Sequence, residues 1–490
     1  VMATAYAKIT GKPVICFVTR GPGATNASIG VHVARQDSVP LILFVGQVSA
    51  SSTHREAFQE VDIPAMFKPL AKWSVQIDQA SRLPELLSRA FKVATSGRPG
   101  PVVISLPEDV QKEIFETKLP VINIPFCSSP SLPQITKLVS LISTAEKPLL
   151  VLGSSTWSAQ ACGQLADFAE KHNIPVVTSF RCQDKINNDH PNYIGVIGVG
   201  TPSYISKYVD NADLLLMLGV ELSEIVTEGF TKYSFPRMQQ QLVHVHPDEE
   251  ELGRVYQPDL AIHSGMAEFM DILFKQDFER HSDNSTGLKV MRADYMNFTS
   301  PNKCPGDVHI GQIMSWLDKR LPSDTFISCG AGNYTHWLLR FIKHREFATQ
   351  LAPLGAVMGY GVPAAIAASI EFPERISIAF AGDGCFLMNA QEIATAKKYN
   401  ARPIFIVLNN GIYGSIRMHQ EREFPTRSIG TDLDNPDFVS YAEAFGIKGY
   451  RVSQTKDFES VFETALKSEG PSLIELAVSE EAISPAFTLS

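Results

Sequence analysis

Residues 375–384, RISIAFAGDG, and residues 403–410, PIFIVLNN, decide how the rest of this 490-residue chain is read. Each opens with an apolar run of the length a buried strand needs and closes on small polar residues that end it. Between them, Asn389 and Glu392 stand three apart ahead of Ile393, Ala394, Thr395 and Ala396, which predicts a helix opened by a capping box. A strand, a crossover helix and a parallel strand are right-handed almost without exception. Asp383 and Asn410 are therefore expected side by side at the carboxyl edge of one sheet.

Open α/β sheets bind ligands at that edge, and these two residues supply a carboxylate and an amide oxygen. Hard oxygens suit Mg²⁺, which takes one or two protein groups and completes its octahedron with phosphate oxygens and water. Gly382 and Gly384 flank Asp383 and let backbone approach a phosphate closely. Alone, GDG is most often a turn and NN a cap. Both together, at the ends of adjacent strands, point instead to a metal-held phosphate.

With Gly382-Asp383-Gly384, twenty-four intervening residues and Asn409-Asn410, the chain resembles the thiamine diphosphate (ThDP) enzymes. The likeness is closer to their acetolactate synthase large-subunit branch and runs through Gly21-Pro22-Gly23-Ala24-Thr25-Asn26, Phe58-Gln59-Glu60, Gly97-Arg98-Pro99-Gly100-Pro101 and 358–365, MGYGVPAA. The resemblance implies an α/β protein of three consecutive parallel-sheet domains: a pyrimidine-binding (PYR) domain over 1–117, a central Rossmann-like domain over 134–276 and a diphosphate-binding (PP) domain over 306–490. It implies ThDP held by Gly332, Asn333, Tyr334, Met358, Gly382, Asp383, Gly384, Cys385, Asn410, Ile412 and Gly414, with Mg²⁺ on Asp383, Asn410 and Ile412. Met358 would sit beneath the thiazolium, where the family has a bulky apolar residue. Gln47, Gln59 and His419 would join it at the reacting end.

The same resemblance implies a carboligase that decarboxylates a 2-oxo acid such as pyruvate and joins the remainder to a second 2-oxo acid. Aldehyde-releasing relatives need a proton donor, from a paired-histidine motif and a Glu soon after NN. This chain has no His-His pair, and Ile416 stands where that Glu would be. Two other readings stay open: a decarboxylase or lyase acting on another 2-oxo acid or an acyl-CoA, and a non-catalytic ThDP-fold binding protein. A homodimer or homotetramer with sites at the subunit interface is implied, and a regulatory subunit is admitted.

Departures from the branch are informative. His419 replaces a tryptophan expected for choosing the larger acceptor, Ser49 a proline and Glu108 a lysine. FAD is admitted by the resemblance but weakened by Glu221, which stands where an arginine is expected. The small-residue helix read over 1–9 starts abruptly, which suggests missing upstream sequence. By alignment, the family's catalytic glutamate would fall about five residues before Val1.

Bulk properties agree. A single core stops growing near ~250–300 residues, so this length with 44% hydrophobic residues implies several domains. A net charge of −9 without long basic runs gives no footprint for nucleic acid or an anionic membrane. No apolar run approaches the ~20 residues a membrane helix needs. The seven scattered cysteines lack CxxC spacing and fit a reducing cytoplasm. Alternating strands and helices predict parallel sheets throughout, with linkers over 118–133 and 277–305.

Overall fold

Three runs of alternating apolar strands and amphipathic helices build three separate parallel sheets in the computed structural model, which describes residues 1–116 and 127–489. The first contains β1 (Val14–Val18), β2 (Leu41–Gln47), β3 (Trp73–Gln76) and β4 (Pro101–Pro107), in the order β1-β2-β4-β3. The second contains β5 (Pro148–Leu152), β6 (Val176–Ser179), β7 (Tyr193–Ile197), β8 (Leu214–Leu218), β9 (Gln241–His246) and β10 (Leu260–His263). Its order β10-β9-β8-β5-β6-β7 is that of a Rossmann sheet, as expected.

The third sheet contains β11 (Phe326–Cys329), β12 (Gln350–Leu351), β13 (Ser377–Gly382), β14 (Ile404–Asn409), β15 (Lys448–Val452) and β16 (Ser472–Ala477). Its order, β12-β11-β13-β14-β16-β15, reverses direction between β11 and β13. Loops leaving those two strands part to opposite faces and open a crevice at the carboxyl edge. The deciding stretch forms the middle of this sheet: β13 and β14 are parallel neighbours, with Gly382 opposite Leu408. Residues 377–381 and 404–408 are buried throughout. Each large side chain among them, such as Phe380 and Ile406, contributes roughly 1.5–3 kcal/mol by leaving water, so the strand ends rest on a rigid floor.

Buried polar contacts tie the three units together. The Lys8 ammonium meets Asp37 at 3.0 Å and donates to the Ala352 carbonyl, while Asp37 accepts from the Leu354 N–H. Asp184 pairs with Lys185 and accepts from the Gln350 N–H. These groups are satisfied on both sides, so separating the units would strand buried charge.

Two expectations are corrected. Residues 277–305 are not a plain linker: Ser285–Phe298 is a helix whose Leu288, Met291 and Tyr295 join the hydrophobic cores of the central sheet. Nor does the 118–133 linker extend to its expected end, because Ser131 caps a helix over Leu132–Thr144 through a capping box with Gln134. The rest of that linker, over 118–126, lies outside the described residues, as does position 117.

Candidate active site

At the carboxyl edge of the third sheet, the loops after β11, β13 and β14 enclose a cleft of about 650 Å³ counted to its open mouth. All the residues expected to hold the cofactor line it: Gly332, Asn333, Tyr334, Met358, Gly382, Asp383, Gly384, Cys385, Asn410, Ile412 and Gly414.

Asp383 is the first residue of a short helix, Asp383–Leu387, and is 3% exposed. Its Oδ1 accepts from the Gly384 N–H, and its Oδ2 from the Gly411 N–H and the Asn435 amide, each at 2.8 Å. Burial raises its pKa, and these hydrogen bonds pull the other way. Asn410 presents its amide oxygen two residues before the Ile412 carbonyl. Hydrogen bonds from 411–413 to 431–433 hold that turn, with Tyr413 N–H donating to Thr431 and Leu433 N–H to Gly411. Gly411 adopts φ +68°, which lets the chain reverse between Asn410 and Ile412.

Asn435 is the residue the sequence analysis missed. Its amide bridges Asp383 and the Asn409 side-chain oxygen, at 2.8 and 3.0 Å. Asn409 in turn donates to Glu475, whose other oxygen accepts from Arg451. The first Asn of the pair therefore anchors strand ends, and the second faces the cleft. The other wall is set by Tyr334, whose hydroxyl accepts from the Gly330 N–H and lies 3.3 Å from the Cys385 sulfur. That sulfur takes the Gly359 N–H, beside Met358. Asn333 accepts from the Ser415 hydroxyl, which ties this wall to the helix Gly414–Glu423.

The expected capping box does not form. The Asn389 side chain donates to the Gly359 carbonyl and Glu392 accepts from Thr395, so Asn389 opens a 3-10 turn, Ala390–Glu392, without a side-chain cap, and the α-helix follows from Ile393. Tertiary contact with the Met358 loop outcompetes the local cap.

Three expected residues lie outside the cleft lining. Gln47 ends β2, is buried, and spends its amide on the Val61 carbonyl and the Val48 N–H. Gln59 adopts φ +63°, with its carbonyl accepting from Gly21, while Glu60 caps the loop through His54 and Ala57. His419 is exposed and bonded to Arg422. Ile416 does reach the cleft and is 52% exposed.

The donor set decides which group fits. Among the described residues the lining holds one carboxylate, Asp383, and no Lys, Arg or His. No cluster of three His, Cys, Asp or Glu side chains is placed to hold a metal either. A diphosphate entering here would lack side-chain countercharge, so a divalent cation on Asp383, Asn410 and the Ile412 carbonyl matches what the cleft offers. Glycine makes the room: a Cβ on Gly384 would stand 2.7 Å from the Tyr413 ring, and one on Gly330 2.6 Å from the Cys385 sulfur. These residues fit a metal-bound diphosphate cofactor.

Comparison with known proteins agrees with this arrangement. Family models for thiamine pyrophosphate enzymes match as an N-terminal TPP binding domain over 1–66, a central domain over 135–273 and a C-terminal TPP binding domain over 330–476. The acetolactate synthase large subunit of Corynebacterium glutamicum is 32% identical, with 98% of this chain and 79% of the relative covered. That of Cyanidium caldarium is 30% identical over 97% of this chain and 83% of its own. The isozyme 2 large subunit of Escherichia coli is 29% identical, covering 98% and 86%.

Proposed function

Because the chain belongs to the thiamine pyrophosphate enzymes and matches acetolactate synthase large subunits along nearly its whole length, we propose that it is a ThDP- and Mg²⁺-dependent carboligase joining two 2-oxo acids. The observation that carries the choice of carboligation is the cleft wall. It lacks His, Lys and Glu, and apolar Ile416 stands at its mouth. Among the described lining residues no His, Lys or Glu is placed to act as a general acid, which would favour carboligation over aldehyde release once the cofactor is bound.

When bound, thiamine diphosphate supplies the electron sink for decarboxylation. This chain's own residues do the rest. Asp383, Asn410 and the Ile412 carbonyl grip Mg²⁺, with Asn435 orienting the carboxylate. Gly384, Cys385 and Gly414 line the diphosphate end, and Gly332, Asn333 and Tyr334 form the facing wall. Met358, in the lining, would pack against the bound cofactor. Gln47 and Gln59, on the first domain, are assigned to the pyrimidine side, and His419 to the acceptor's approach.

Since neither glutamine lines the cleft of its own chain, a second copy supplies them in this reading, as a homodimer or a dimer of dimers. Supporting it, Ile15, Phe17 and Ile29 are 43%, 73% and 45% exposed on the first domain. The helix Gly414–Glu423 buries none of its residues. Branched-chain amino acid biosynthesis in a reducing cytoplasm suits this chemistry and the seven free cysteines. No helix among the described residues is long and apolar enough to cross a membrane.

FAD stays an option weakened by Glu221. At the carboxyl edge of the central sheet, Glu221 pairs with Arg98 at 2.5 Å, and Glu251 with Arg98 and Arg254, so both arginines are engaged within the protein instead of being turned to a dinucleotide's phosphates.

Product analysis tests the reading: with pyruvate, ThDP and Mg²⁺, acetolactate should dominate and acetaldehyde stay minor. Acetaldehyde as main product would favour a decarboxylase instead.

A further inference from the structure

Helix Thr335–Phe341 turns Tyr334 and Trp337 toward the first cleft and His336, Leu339 and Arg340 toward a second one of about 670 Å³. That second cleft lies where the edge strand β7 and helix Ser285–Phe298 of the central unit meet the third unit. Its size is that of a small-molecule site.

The walls are largely apolar, with His336, Thr299 and Ser484 as small polar groups and Arg340 as the one Lys or Arg among the described lining residues. The Arg340 guanidinium lies 4.3 Å from the Phe298 ring centre and 5.2 Å from that of Phe341. Its Nε donates to the Phe298 carbonyl at 2.6 Å and its Nη1 to that of Pro485 at 3.4 Å. Among the described residues its Nη2 has no acceptor, and no carboxylate pairs with it. Burial lowers its pKa from the usual value. The His336 ring, beside it on the same helix, makes no hydrogen bond among the described residues. A half-buried guanidinium with a free donor edge and no counterion is poorly compensated by protein alone, and its planar fork matches a carboxylate.

We propose that this second cleft binds a short aliphatic monocarboxylate, its carboxylate on Arg340 and His336 and its chain against Val196, Val199, Tyr204 and Leu339. The two clefts are distinct spaces, so the proposal stands whether or not the first one takes ThDP.

The test is calorimetric titration of the full chain, saturated with ThDP and Mg²⁺, with hexanoate as probe and hexylamine as control. Hexanoate should bind and hexylamine should not. Arg340→Gln should weaken hexanoate at least about tenfold, the loss expected of a charged hydrogen bond. Val199→Trp, at a 40% exposed position, should fill the cleft and abolish binding without touching the arginine. If Arg340→Gln fails to fold, Val199→Trp decides alone. No binding to the wild-type chain, equal binding of hexylamine, or wild-type affinity in Val199→Trp would each overturn the proposal.

Discussion

The second and third sheets are both six-stranded, wholly parallel and open, and each has a switch point where a ligand crevice forms by geometry alone. They use it differently. In the central sheet, Gly153 approaches so closely that a Cβ there would lie 1.9 Å from the Gly219 carbonyl, and the Arg98–Glu221–Glu251–Arg254 cluster fills the edge. In the third, glycines hold the edge open around Asp383, the one carboxylate among the described residues that line the cleft, with an amide beside it. The same architecture presents an ion-paired edge in one case and a glycine-lined cleft in the other, so what each edge can do follows the residues at the strand ends and not the fold.

Four changes would break or sharpen that contrast. The largest effect is expected from Asp383→Ala, which should weaken Mg²⁺-dependent ThDP binding by more than about 100-fold in calorimetry, because it removes the one carboxylate among the described residues that line the cleft. Its circular dichroism and melting temperature should stay near those of the wild-type chain. Next comes Asn435→Ala. It leaves every proposed ligand in place but frees the carboxylate to turn, and should cost about 10- to 100-fold in metal affinity, measured by Mn²⁺ titration. Gly384→Ala should reduce ThDP affinity by about tenfold, since the new methyl must displace the Tyr413 ring, an overpacking cost of roughly 1–3 kcal/mol.

The smallest effect belongs to the closed crevice. Burial lifts the Glu221 pKa from the ordinary carboxylate range to about 7, with Arg98 opposing the shift and Glu251 adding to it. Between those values the folded chain holds a proton that the unfolded chain has released, so stability should fall as pH rises through that window. Glu221→Gln should flatten this slope in denaturant melts at several pH values, with ThDP binding unchanged. A variant that instead lost ThDP would erase the distinction between the two crevices.

Much of this was readable in advance, for local reasons. Strands such as 148–152 and 404–409 are short apolar runs bounded by turns, and the GDG and NN motifs sit at the ends of such runs. What escaped depends on tertiary contact. Asn435 lies in an irregular loop, and nothing around it marks a side chain that reaches back to Asp383. The edge strands β3, β7, β12 and β15 leave weaker signals: β3 is only half-buried, β7 carries Gly195 in its middle at φ +125°, β12 is two residues long and β15 is largely exposed or half-buried. Helix Ser285–Phe298 did leave a trace. Leu288, Met291 and Tyr295 are spaced as one helical face, but its polar surroundings hid them. The capping box failed in the opposite sense, as a good local signal overridden by the Gly359 carbonyl.

Gln47, Gln59 and His419 show where residue-level reading stops. All three were named by resemblance, and within one chain the fold leaves them outside the cleft. The Gln47 amide is engaged with Val61 and Val48, Gln59 is held by its backbone carbonyl on Gly21, and His419 is at the surface, so their proposed roles depend on a second copy.

The central claim is that a divalent ion sits between the ends of β13 and β14. Crystals of the chain grown with ThDP and Mn²⁺, measured at a wavelength where manganese scatters anomalously, test it most directly. The account predicts one strong anomalous peak bounded by the Asp383 carboxylate, the Asn410 amide oxygen and the Ile412 carbonyl, with the diphosphate completing the shell. Bound diphosphate with no peak there, or a peak held by other residues, would contradict it.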